Sequence, residues 1–489
     1  MIELLLLVPL AATFLLFPMR RRRAIVPISV SASTITLAMA AYLAYRVYVF
    51  GTIDEGLLYM DMLSAYVLLL VAFVGLAANL YSVSYMGWEL REGTIGEAKL
   101  RNFHLFFHLF IFTMVLVGVS DNLGIMWIAI EGTTLASAYL VGFYDRDTSV
   151  EAAWKYLIIC SVGITLALLG TVLLYASSVS FLGEASDALS WSTLMDPAVL
   201  ANLDVDLLRI AFILVLVGYG TKVGLAPMHT WLPDAHSQAP TPVSALLSAV
   251  LLNCAMYGIL RFHMILSGSA VGPGFSSDLL LLFGILSLAT AAAFIVTSKE
   301  YKRMLAYSSI EHMGIIAIGF GIGGPLAIMG ALFHMLNHAL TKTLLFFGAG
   351  NVLQRYGTRE IAGVRGLASV MPATAVLVAG GALAIVGCPP FGTFISEIMI
   401  LAGAIEGGDL LAATAYLGLL AVVFAALLHH AGRMLVGEAP GIERGEVGRW
   451  RPVIMATLLV AVAVLGLYMP DVLEEALERM VALLTGGMS

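Results

Sequence analysis

The chain reads as an all-α polytopic membrane protein of about fourteen transmembrane helices. Three observations predict this. Of its 489 residues, 60% are hydrophobic and only 12% charged, where a soluble domain carries about 25% charged residues. Apolar runs of spanning length recur from one end to the other. Lys and Arg gather in alternate loops, the pattern the positive-inside rule expects.

The spans fall at about 1–18, 24–50, 57–84, 104–120, 122–143, 152–178, 206–231, 242–265, 276–297, 302–320, 325–352, 368–404, 410–432 and 452–470, followed by an amphipathic tail from Asp471 to Leu484. Loops after odd-numbered spans hold Arg20 to Arg23, Arg91, Lys99, Arg101, Arg146, Lys299, Arg355, Arg359, Arg365, Arg433, Arg444, Arg449 and Arg451, and Lys302 and Arg303 open the tenth span as interfacial anchors. The opposite side holds Arg46, Arg209, Arg261 and Arg479 among acidic residues such as Asp54, Glu55, Glu184, Asp187 and Asp204. The alternation puts the basic loops in the cytoplasm, both termini outside, and the chain in the inner (plasma) membrane. The first apolar run precedes its basic cluster, so no cleavable signal peptide is expected.

The seventh span is interrupted near Pro227 and the twelfth at Pro389-Pro390. Paired interrupted helices five spans apart point to inverted repeats with a transport site between them. The predicted organisation is residues 1–103 for spans one to three, 104–265 for a first five-helix repeat (spans four to eight), 276–432 for a second (spans nine to thirteen), and 433–489 for the last span and tail.

Ionisable residues inside these spans are the candidate functional residues, because a charge at mid-membrane costs roughly 2.5–3.5 kcal/mol on insertion scales and usually faces a polar path. Lys222 lies on the broken seventh span and Glu131 midway along the fifth. Such a pair would switch: together each holds the other charged, apart the lysine gives up its proton. Lys155 opens the sixth span, where its side chain could also reach the cytoplasm. On the tenth span, His312 is read as channel-lining and Glu311 as its partner or a second acid, since adjacent positions cannot share one helix face. His334, His338 and Lys342 follow one another at intervals of four on the eleventh span, which keeps them on one face. His at i and i+4 can bind zinc, but the third ligand is missing and a lysine completes the row, so a proton wire is expected and no metal. Glu397 lies beyond the double proline. Together these groups suggest a titratable row that conducts protons where water bridges the gaps; Thr221, Ser244, Ser248, Asn253, Ser308 and Asn337 could hold such water.

No Walker loop, CxxC pair or nucleophile elbow occurs, and no basic patch with interleaved aromatics suggests nucleic acid. Cys160, Cys254 and Cys388 fall in apolar segments and read as inert packing residues. No cofactor is expected in this chain, and any driving energy must come from an ion gradient or from partner subunits.

The stretch KVGLAPMHTWLPDAHSQAPTPVSALLSA, supported by KRMLAYSSIEHMG and HMLNHALTKTLLFFGAGNV, resembles the antiporter-like membrane subunits of respiratory complex I, Mrp-type sodium/proton antiporters and group 4 membrane-bound NiFe hydrogenases. The resemblance runs from about the third to the thirteenth span. It implies site roles for Glu131, Lys222, His334, His338, Lys342 and Glu397, and H+ (or Na+/H+) translocation coupled to a larger complex. Several relatives carry a lysine where this chain has Asn253, and others a histidine where it has Ser248, so the link between half-channels would lean on the tenth and eleventh spans or on water. EGTTLASAYLVGFY, WKYLIICSVGITLALLGT, VLLNCAMYGILRF and SIEHMG are most similar to the F-type membrane component of hydrogenase-4. That implies Fe–S and Ni–Fe centres in partner subunits, with a peripheral redox arm. The alternatives are a sodium/proton antiporter subunit of Mrp type, a complex I-like NADH:quinone oxidoreductase membrane subunit, and a structural subunit that has lost conduction.

Overall fold

The computed structural model describes residues 1–183, 187–439 and 441–486; Glu184, counted above among the acidic loop residues, lies outside them. Among the described residues the regular structure is helical but for one hairpin of two-residue strands, Ile53–Asp54 with Tyr59–Met60, that the sequence does not announce.

Nine helices among the described residues are long and apolar enough to cross a membrane: Arg22–Phe50, Met62–Arg91, Glu97–Val119, Leu123–Val141, Asp147–Leu182, Thr241–Gly268, Pro273–Val296, Tyr301–Ile322 and Leu410–Leu435. A tenth is obtained if Arg451–Leu467 and Asp471–Leu484, which meet at 74°, count as one bent span. Short polar residues set several of the starts by accepting backbone N–H groups that have no partner within the helix. Asp61 accepts from Ser64 N, Asn122 from Gly124 N and Ile125 N, Asp204 from Asp206 N and Leu207 N, and Asp409 from Ala412 N.

Burial separates a core from a rim. Thr241–Gly268 has its whole apolar window inside the protein, whereas Asp147–Leu182 exposes Trp154, Ile158, Val162, Leu169 and Val172 along one stripe. In a chain this apolar, such a stripe is a lipid-facing surface.

Both predicted breaks are present. The seventh span is two helices, Val205–Val223 and Trp231–Gln238, so its second half runs further along the chain than the 206–231 range read from the sequence. Gly224 closes the first half in the left-handed region (φ +82°). The twelfth consists of Pro372–Ile385 and Gly392–Glu406. At each break a side chain adds a hydrogen bond to a carbonyl of the last turn, where backbone polar groups at membrane depth need partners. Trp231 Nε1 donates to Thr221 O at 2.7 Å, and Thr393 Oγ1 donates to Ala384 O.

Three basic residues differ from their loop reading. Arg451, at the start of Arg451–Leu467, is buried and donates to Gln354 Oε1 at 2.6 Å. Arg261 is fully buried and ion-paired with Asp61 at 2.6 Å. Lys302 is no interfacial anchor: it is fully buried and donates to Ser237 O and Ala239 O at the end of Trp231–Gln238.

Candidate functional site

The first cluster forms around Lys222, in the last turn before the seventh-span break. Asp147–Leu182 and Val205–Val223 approach so closely that a Cβ on Gly163 would lie 2.7 Å from Thr221 Cβ, and one on Gly218 would lie 2.6 Å from Gly163 O. That approach brings the fully buried Lys222 against Tyr156. Its Nζ donates to Tyr156 Oη at 2.6 Å and to Thr134 Oγ1 at 2.8 Å, and lies 4.6 Å from the centre of the Tyr156 ring.

The hydroxyls carry this pattern outward. Ser137 Oγ donates to Thr133 O, so the Tyr156 hydroxyl donates to Ser137. Thr134 Oγ1 donates to Glu131 Oε2 at 3.2 Å, and Ser161 Oγ to Glu131 Oε1 at 2.6 Å. Glu131 and Lys222 are therefore bridged through Thr134 rather than joined directly, which corrects the direct pair expected from the sequence. A buried ammonium without acceptors would be strongly destabilising; here two hydroxyls supply them.

The second cluster joins Tyr301–Ile322, Gly324–Tyr356 and the second half of the twelfth span. His312 Nδ1 and His334 Nε2 are 2.7 Å apart with stacked rings, and His334 Nδ1 is 2.9 Å from Ser396 Oγ. The Ser396 hydroxyl is already committed to Thr393 O, so it accepts from His334 Nδ1. For neutral rings this fixes the direction: His334 Nε2 carries a lone pair and accepts from His312 Nδ1. His312 Nε2 is then left as a buried acceptor, and it has no partner among the described residues. Glu397 closes the cluster; nitrogen and carboxylate oxygen atoms of His312, His334 and Glu397 all lie within 4.8 Å of one another.

Beside the second cluster lies a further set of buried polar residues, the polar line. Leu247–Leu251 is one turn of π-helix, a departure that often marks functional positions. Ser248 within it meets the eleventh span through its carbonyl, 3.2 Å from His338 Nε2, and the tenth through its hydroxyl, 2.7 Å from Ser309 Oγ. The His338 ring also lies 5.2 Å from that of His312. Lys342 donates to Leu305 O at 2.9 Å, and Asn253 to Ala249 O at 2.8 Å. Asn253 Oδ1, Ser308 Oγ, Glu311 Oε2, Asn337 Oδ1, His338 Nδ1 and Thr341 Oγ1 are buried with no partner among the described residues. Leaving such an atom unmet costs about 1–3 kcal/mol, and buried polar atoms are normally satisfied by protein or ordered water. Their concentration on Thr241–Gly268, Tyr301–Ile322 and Gly324–Tyr356 marks where water belongs.

Of the predicted residues, Glu131 and Lys222 fall in the first cluster, His312, His334 and Glu397 in the second, and Ser248, Asn253, Glu311, His338 and Lys342 on the polar line beside it. Lys155 stands apart. It is half-exposed and paired with Glu151 at 2.6 Å and Asp234 at 3.4 Å, while Arg303 holds the same Asp234 at 2.8 Å. Its neighbour Tyr156 faces inward in its place.

Sequence reasoning also missed Thr134, Ser161, Lys302 and His236. Thr134 was within reach, being three residues from Glu131 on one helix face. His236 was not: it is buried, stacked on Phe346 at 5.2 Å, with neither ring nitrogen partnered among the described residues.

Comparison with known proteins identifies the family and the fold. The family described as "NADH:quinone oxidoreductase/Mrp antiporter, TM" matches residues 120–427, and "NADH-Ubiquinone oxidoreductase (complex I), chain 5 N-terminus" matches residues 56–92. The chain is 41% identical over 433 residues to the hydrogenase-4 component F homolog of Methylacidiphilum infernorum, covering 87% of this chain and 88% of the relative. Its fold is similar to a chain of the archaeal membrane-bound sulfane sulfur reductase, an archaeal respiratory membrane complex (TM-score 0.86, 22% identity, covering 99% of this chain and 97% of that one). It is similar also to a chain of the Mrp complex from a Dietzia species (TM-score 0.85, 19% identity, 99% and 97%).

Proposed function

The chain belongs to the family of NADH:quinone oxidoreductase and Mrp antiporter transmembrane subunits, and from that premise we propose that it is the proton-translocating membrane subunit of a redox-driven complex of the group 4 membrane-bound NiFe hydrogenase or formate hydrogenlyase-like class. The observation that carries this reading is the pair of buried ionisable clusters, around Lys222 and around Glu397, with the line of buried polar atoms beside the second. The similarity to the hydrogenase-4 component F homolog supports the hydrogenase assignment. Fe–S and Ni–Fe centres then belong to partner subunits.

In this scheme a proton reaches Lys222 from the cytoplasm, with Glu131 setting its affinity through Thr134. A displacement of charge in the neighbouring subunit shifts the Glu131–Thr134–Lys222 bridge. The proton moves along the polar line past Lys342 and His338 to the His312–His334 pair, and leaves by Glu397. The neutral imidazole pair suits this: a proton taken at His312 Nε2 allows the Nδ1 proton to pass to His334 Nε2.

The architecture of the scheme is fourteen spans in the inner membrane, both termini outside. To the nine helices of evident spanning length it adds Ile2–Leu16, the two broken helices, Gly324–Tyr356 and Arg451–Leu467. Residues 104–265 and 276–432 are then inverted repeats. In each, the third helix packs along the broken fourth: Asp147–Leu182 on Val205–Val223, and Gly324–Tyr356 on Gly392–Glu406.

Lys222→Ala tests the proposal. Redox-coupled proton movement in membrane vesicles is expected to fall at least tenfold while the complex assembles normally; unchanged coupling with normal assembly overturns the pumping role. The likeness to a chain of an Mrp complex favours one second reading, sodium/proton antiport. Transport in those vesicles that requires Na+ and needs no redox substrate would establish it instead.

A further inference from the structure

His312, His334 and Glu397 come from three different helices, and no ligand spacing in the sequence joins them. The i, i+4 pair that spacing suggests, His334 and His338, lacked a third ligand; folding supplies two others around His334 instead. We propose that His312, His334 and Glu397 form a binding site for one first-row divalent metal ion of the Zn2+ type.

Three features of the cluster support this. First, its ligand atoms already lie within 4.8 Å of one another, around one point. Two imidazoles and one carboxylate, with a fourth position open, form a known zinc ligand set, and the imidazoles disfavour the all-oxygen cations Ca2+ and Mg2+.

Second, His334 is oriented for the task. Its Nδ1–H is held by Ser396 Oγ at 2.9 Å, which leaves the Nε2 lone pair facing the centre of the cluster. A metal-bound histidine typically donates its other N–H to such an outer partner. Third, His312 Nδ1 already faces His334 Nε2, and it becomes a ligand once the ring proton moves to Nε2, which has no partner among the described residues to oppose the change. The adjustment required is small. His312 Nδ1 and His334 Nε2 are 2.7 Å apart; two nitrogens on one tetrahedral zinc, each roughly 2.0–2.1 Å from it, are about 3.3 Å apart.

Glu397 is the one ligand with any exposure, 8%, so the ion arrives from its side. The bound ion would occupy the lone pairs through which the proposed proton line passes and block it. That consequence rests on the proton-translocating reading; the binding does not.

The test uses the chelator-treated native complex titrated with Zn2+, with bound metal counted by mass spectrometry. One high-affinity equivalent is expected that Glu397→Gln and His334→Gln abolish and that Ser396→Ala weakens by about 10–100-fold. Failure to find an equivalent sensitive to these changes overturns the site. Zinc-edge X-ray absorption on the unaltered complex guards against variants that misfold. A shell of imidazole nitrogen and carboxylate oxygen supports the site, and a sulfur-only or water-only shell overturns it. Proton movement measured with and without Zn2+ separates the two readings. Specific binding that leaves transport untouched supports the site and sinks the proton route through these residues. Transport that falls with Lys222→Ala, together with no specific binding, does the reverse.

Discussion

At the scale of single residues, the chemistry turns on what a buried charge touches. Lys222 relies on two hydroxyls, Tyr156 at 2.6 Å and Thr134 at 2.8 Å. Hydrogen bonds to charged groups contribute about 1.5–3 kcal/mol. Tyr156→Phe keeps the ring beside Lys222 and removes only the hydroxyl, so it is expected to slow proton movement about tenfold or more without affecting assembly. Thr134→Val should do more, because it also cuts the bridge to Glu131. Vesicle transport assays on the two variants check the order, and equal effects would show that the bridge carries no coupling. The charged members of the row were legible as ionisable residues inside apolar runs. Among the hydroxyls only Thr134 was within reach, three residues from Glu131; Tyr156 and Ser161 were not, because hydroxyl residues are ordinary in spans and only the fold shows which ones meet a charge. Lys155 shows the opposite failure. One position along a helix turns a side chain by about 100°, so Lys155 faces outward and Tyr156 inward.

At the scale of elements, the two broken helices decide where charge is tolerated, and glycine decides how closely it approaches. Gly387 has φ +68°, and a Cβ there would lie 2.0 Å from Glu397 Oε2 and 2.8 Å from Glu397 Cδ. Gly387→Ala would therefore displace the Glu397 carboxylate and also carry the left-handed backbone penalty of roughly 1–2 kcal/mol. Gly324→Ala isolates the second effect, since Gly324 has φ +71° and open space around its Cβ position. Transport is expected to fall with Gly387→Ala to about the level of Glu397→Gln and to persist with Gly324→Ala in complexes of equal abundance. Equal losses in both would assign the effect to backbone strain. The breaks were legible because proline interrupts an apolar run visibly, at Pro227 and at Pro389-Pro390. The π-helical turn Leu247–Leu251 was not, since ALLSAVLLN holds no residue that distinguishes it from plain α-helix. Yet that turn is where Ser248 meets both His338 and Ser309.

At the scale of the whole molecule, a buried ion pair ties the N-terminal helices to the central one. Arg261, in Thr241–Gly268, whose apolar window is wholly buried, holds Asp61 through both Nη atoms, at 2.7 and 2.6 Å. Asp61 in turn caps Met62–Arg91. The guanidinium is enclosed by Trp191, 3.8 Å from its ring centre, and Tyr257, at 4.7 Å. Counting charges by loop placed Arg261 at a helix end, because its partner lies 200 residues away and only the fold joins them. Arg261→Ala leaves a buried carboxylate unpaired, which costs about 3–5 kcal/mol, whereas replacing both partners by apolar residues of similar volume is often neutral or stabilising. Thermal unfolding of the purified complex in detergent checks this. Arg261→Ala should lower the midpoint clearly, and Asp61→Leu combined with Arg261→Met should recover most of the loss. Should the double variant be as unstable as the single one, the pair would be acting through its contacts to Ser64, Trp191 and Tyr257 rather than through charge compensation. The outcome matters for function because Thr241–Gly268 carries Ser248 and Asn253 of the polar line. An element that positions a proton route must keep its register against its neighbours, and this pair fixes it to Met62–Arg91.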